Sequence, residues 1–63
     1  MTYTNETDGM CATVTPVSKG WVVCLIDIEA EDGIVATRLY KDEKEANRKA
    51  RYWVWGCITK EEL

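Results

Sequence analysis

The twenty residues from Trp21 to Tyr40, WVVCLIDIEAEDGIVATRLY, leave a short chain little choice of fold. Two runs rich in β-branched residues flank Asp32-Gly33. Asp-Gly at such a junction selects a two-residue type I′ turn, because both central residues need positive φ. That turn sets Ile26 opposite Leu39, Ile28 opposite Thr37 and Ala30 opposite Val35 on one face. On the other face Leu25 meets Tyr40, Asp27 meets Arg38 and Glu29 meets Ala36. This register gathers aliphatic side chains on one side and opposes a charge pair on the other, which is what cross-strand packing rewards.

Upstream, Met10 to Thr15 (MCATVT) alternates and reads as a first strand, with Pro16 to Gly20 (PVSKG) as the turn. Placing Thr15 opposite Trp21 pairs Val14 with Val22 and Ala12 with Cys24, on the same face as Ile26 and Ile28. Residues 1–9 are polar and without period, and read as a frayed tail before a single domain over 10–63. After Tyr40 the period changes from 2 to 3.6. Asp42 is an N-cap, with Glu45 three residues on in a box-like arrangement. Ala46, Ala50, Trp53, Val54 and Cys57 then make one apolar stripe, Gly56 is the stop, and Thr59 to Glu62 caps one last turn. The expected fold is α+β: a three-stranded antiparallel β-meander with one α-helix packed on one face. Its expected core is Ala12, Val14, Val22, Cys24, Ile26, Ile28, Val35, Leu39, Ala46, Ala50, Trp53 and Val54.

At 63 residues such a domain has a small core, and gains stability from a disulfide, a metal or a partner subunit. The chain has no His, and its three cysteines, Cys11, Cys24 and Cys57, are widely spaced, so the usual zinc sets cannot be assembled. The cysteines read as free structural thiols, although a slipped first strand would allow a Cys11–Cys24 bond. Neither a signal-peptide pattern nor a run of about 20 apolar residues is present, so a cytoplasmic location is the default expectation. Net charge is −3, distributed unevenly. Residues 1–36 carry one lysine against six carboxylates, and residues 37–63 carry seven cations against five carboxylates.

Catalysis has no visible machinery: no nucleophile elbow, no phosphate-cradling glycine loop and no His are present. No cofactor or metal is expected. Two surfaces remain. In the register above, the sheet face away from the helix carries Trp21, Val23, Leu25 and Tyr40 beside Asp27, Glu29 and Arg38. An apolar patch bordered by acids reads as a partner-binding face, for another protein or for a second copy in a two-fold dimer, unless the chain's own termini cover it. The second surface is the outer side of the helix, where Lys44, Arg48, Arg51, Tyr52 and Trp55 cluster. Basic residues interleaved with aromatics suit nucleic acid, and a solvated charged face is the structural alternative.

The Gly20-Trp21 strand opening, Gly33 in the turn, Tyr40 before the helix and Glu45-Ala46 within it resemble two families. These are the sheet-plus-helix domains of plant ethylene-responsive transcription factors and the arm-binding domains of phage-type tyrosine integrases. The layout is also similar to short phage and prophage products. The resemblance implies three strands, a helix and a sheet that enters the DNA major groove. Here that sheet face would hold Trp21, Asp27, Glu29 and Glu31, with Arg38 as its one cation, and phosphates repel such acids. The expected function is therefore a non-enzymatic, acidic protein-binding module, a phage-type modulator of a host protein. Nucleic-acid binding through the helix is the rival.

Overall fold

A computed structural model describes residues 1–30 and 33–63. Within them β1 (Thr2–Asn5), β2 (Met10–Val17), β3 (Gly20–Asp27) and β4 (Ile34–Tyr40) form one antiparallel sheet in the order β1-β2-β3-β4. The helix α1 (Glu43–Val54) follows and packs across one face of the sheet, and a short 3₁₀ turn, Lys60–Glu62, ends the chain. The class is α+β as expected, with four strands in place of three. No described helix is long and apolar enough to cross a membrane.

The added strand lies where a tail was expected. Thr2–Asn5 is polar, yet its alternation is sound, because Tyr3 and Asn5 both point to the helix side. The Tyr3 hydroxyl donates to Asn47 Oδ1 (2.8 Å), and the buried Asn5 side chain donates to the Val54 carbonyl (3.2 Å). Asn5 Oδ1 also accepts from the Asp8 N–H, and Gly9, at φ +68°, completes the turn into β2. Hydrophobic periodicity does not reveal a strand whose inward residues are a tyrosine and an asparagine.

The register between β2 and β3 differs from expectation by one residue. Val14 faces Val23 and Ala12 faces Leu25, with Pro16 opposite Trp21 and the reversal at Ser18-Lys19. Pro16 therefore stays in the strand instead of ending it. The Val14 N–H donates to the Met1 carbonyl, so the nitrogen two residues on faces the same side. There β1 has already stopped, and no ladder bond is lost. A one-residue shift reverses every side chain of β3. Trp21, Val23 and Leu25 face the helix, Val23 and Leu25 with 0% exposure, while Val22, Cys24 and Ile26 turn outward. Because WVVCLI is apolar on both faces, hydrophobicity cannot decide the register; a Pro16 that stays in the strand, with the two-residue reversal after Val17, does.

The hairpin β3–β4 also departs from expectation. Leu25 pairs with Ala36, Trp21 with Tyr40 and Val23 with Arg38, and a bulge sets Ile26 opposite Ile34. The Asp27 side chain accepts from the Glu29 N–H (3.0 Å) and its carbonyl from the Ala30 N–H, opening a longer loop directly after β3. Asp27 consequently has Met10 as its cross-strand neighbour and does not meet Arg38. Ile28 and Leu39, expected inside, are exposed. The expected Asp32-Gly33 turn has Asp32 outside the described residues.

The helix follows its sequence signals closely. Asp42 caps it by accepting from the Lys44 N–H (3.2 Å). Glu45 turns to Arg48 instead of closing a box with the cap. At the far end Gly56 (φ +78°) and Cys57 donate to the carbonyls of Trp53 and Tyr52, the Schellman pattern that left-handed glycine allows. Cys57 is thus beyond the helix and exposed. Ala46, Ala50, Trp53 and Val54 close on Ala12, Val14, Val23 and Leu25 to make the core. Ile58 and Leu63 pack against its rim, so the C-terminal segment covers the helix side. In urea unfolding, Leu25→Ala is expected to cost about 2–5 kcal/mol, whereas Leu39→Ala, at a half-exposed site, is expected to cost well under about 1 kcal/mol.

Candidate functional site

With the helix on one side, the other side of the sheet is open, and three rungs of side chains run across it. Thr4, Cys11, Ile26 and Ile34 form one rung, and Thr2, Thr13, Cys24 and Thr37 the next. Thr15, Val22 and Leu39 form the third. Not one of these residues is charged, in a chain that is 30% charged. Ile34 and Leu39 are 64% and 54% exposed, and the Thr4 hydroxyl donates only weakly to Cys11 Sγ (3.7 Å).

The residues expected on an open aromatic and acidic face are thereby redistributed. Val23 and Leu25 are core, and Trp21 and Tyr40 are half-buried against the helix side. Arg38 is exposed on that same side, its guanidinium donating to the Thr37 carbonyl (2.9 Å). Asp27 ends β3, and Glu29 is exposed in the following loop. The structure does not bring these seven together on a free surface. The signal for the correct set lay in the alternation T-x-T of residues 2–4, read as tail, and of residues 13–15, read as part of the first strand.

The Tyr40 hydroxyl is buried and has no hydrogen-bond partner among the described residues. Burial raises its pKa above the ordinary tyrosine value; Arg38 opposes that shift and Glu45 adds to it. A raised pKa favours the folded state below about pH 10 and that contribution is lost as pH climbs further. Tyr40→Phe removes an unpaired polar group, so the variant is expected to be as stable as wild type or more stable by up to about 1 kcal/mol, with a shallower alkaline decline in a pH series of urea midpoints.

The outer side of α1 does assemble as expected. Lys44, Arg48, Arg51, Tyr52 and Trp55 are all exposed along one stripe, Trp55 at 57%. Lys44, Arg48 and Arg51 line an open groove of about 480 Å³ with Asp42 and Glu45. Arg48 bridges Glu45 at 2.8 Å, and the Arg51 guanidinium lies 6.0 Å from the centre of the Tyr52 ring.

No group of three His, Cys, Asp or Glu side chains suited to a metal comes together among the described residues. Comparisons of the chain with protein-family models, with curated proteins and with solved structures return no match.

All three cysteines are free. Cys11 stands opposite Ile26 and Cys24 opposite Thr13, so the two thiols are diagonal neighbours, a poor geometry for a disulfide. Mass analysis after alkylation of the native protein should show Cys57 modified fastest, Cys11 and Cys24 more slowly, and three adducts once the chain is unfolded.

Proposed function

We propose that this protein is a non-enzymatic binding module that docks on other protein surfaces through the uncharged open face of its sheet, with a second copy of the chain as the first partner. One observation carries the reading: the three rungs from Thr4–Ile34 to Thr15–Leu39 hold no charge, although the chain carries 11 carboxylates and 8 cations. Two copies of a chain with net charge −3 repel, and rungs without carboxylates among the described residues are where they meet at least cost. Exposed Ile34 and Leu39 supply apolar area, and the threonines supply hydroxyls able to bond across an interface.

Size bounds the interface. At about 4.8 Å between strands and about 6.8 Å between rungs, the patch covers a few hundred Å². That is below the roughly 800 Å² per partner of a standard stable interface, which places pairing through it in the transient class. A host protein presenting a matching apolar face, as for a phage-type modulator, is the hetero form of the same reading.

Sedimentation equilibrium from a few to a hundred micromolar tests the self-pairing. Wild type should move from monomer to dimer across that range, and Leu39→Lys, at an exposed site, should stay monomeric with an unchanged unfolding midpoint. A wild type that is monomeric throughout overturns the second copy as partner.

A further inference from the structure

We infer that the outer stripe of α1 is a binding surface for single-stranded nucleic acid, separate from the open sheet face and independent of its role. Three features converge on it. First, the stripe concentrates positive charge in an acidic protein: Lys44, Arg48 and Arg51 share one groove. The two acids beside them are already engaged, Asp42 at the helix N-terminus and Glu45 with Arg48. Arg48–Glu45 is the one salt bridge among the described residues, which leaves Lys44 and Arg51 with no carboxylate partner among them.

Second, the stripe ends in an aromatic side chain that the fold does not use. Trp53, two residues earlier, fills the core, while Trp55 at the helix C-cap is 57% exposed. Tyr52, with Arg51 near its ring, is exposed beside it. An exposed indole next to cations offers a base a stacking platform, and every base has a face that can use it. Third, the length fits. From Lys44 to Trp55 the helix rises about 16 Å, about five nucleotides of a stacked strand at ~3.4 Å each. Duplex DNA suits the surface less, since its bases are not open to stacking on Trp55.

The test is a fluorescence titration of the full chain with decathymidylate in 20 mM and 200 mM salt. Trp53 is buried and Trp21 half-buried on the helix side of the sheet, so Trp55 is the most exposed of the three indoles, and the quenching lost in Trp55→Leu is the part that reports stacking. Binding at 20 mM salt should quench that emission. Two phosphate contacts, from Lys44 and Arg51, give a slope of log affinity against log salt of about −1.4 for a single strand, or about a 25-fold loss between the two salts. Trp55→Leu should weaken binding about tenfold, followed by anisotropy of a labelled oligonucleotide, with an unchanged urea midpoint. Arg51→Gln should flatten the slope by about 0.7, a readout that a merely structural change does not move. Leu39→Lys should leave binding intact, which separates this surface from the open face. Any of three results overturns the inference: no quenching at 20 mM salt, equal binding by Trp55→Leu, or polyglutamate of matched charge competing as well as the oligonucleotide.

Discussion

Everything in this domain hangs on the parity of one strand pairing. When Val14 sits against Val23 and Ala12 against Leu25, the helix meets Trp21, Val23 and Leu25. Ala46 and Ala50 bring no bulk to that contact, so the helix backbone approaches the sheet closely and Trp53 and Val54 fill the remaining space. Shift the pairing by one and the same helix would meet Val22, Cys24 and Ile26. Gly20 helps to fix the choice. It sits at φ +144°, and a Cβ there would collide with the Tyr40 carbonyl oxygen, so the turn between the central strands is also the place where the last strand approaches.

Charge separates along the same division. The helix carries three of the seven cations of the C-terminal half on its outer side, while the three rungs of the open sheet face, among the described residues, carry none of either sign. Such a partition is not required for stability, since polar and charged residues on the outward positions of a half-covered sheet are the ordinary solution. Threonine at those positions is compatible with water and with a partner alike. Isoleucine and leucine at 34 and 39 are not what water alone would select.

How far the chain could be read in advance depended on whether a local rule had a single answer. The helix was legible at both ends because Asp42 and Gly56 each do one thing, capping and left-handed termination. Ala12, Val14, Ala46, Ala50, Trp53 and Val54 were legible as core because each lies on an element with one apolar face. β3 was not, because both of its faces are apolar and the deciding fact was that Pro16 lies beyond the end of a strand the sequence hardly signals. That strand, β1, stayed hidden since its inward residues bond to the helix instead of packing in the core. The site divided likewise. The helix stripe needs only a period of 3.6, and the sheet face needed the register.

The meander has a temporal consequence. Each strand pairs with its sequence neighbour, and the most distant partners in the ladders are Trp21 and Tyr40 at one end of a single hairpin. Contacts this local close cheaply, so the three hairpins can zip early and the sheet should form quickly for a β-rich chain. The Tyr3–Asn47 and Asn5–Val54 bonds are different, spanning 44 and 49 residues. They join the first strand to the helix, and loop closure makes them late to form. By the same logic they are early to open: β1, four residues on the edge, is the segment whose amides should exchange first with solvent while β2, β3 and the helix still hold.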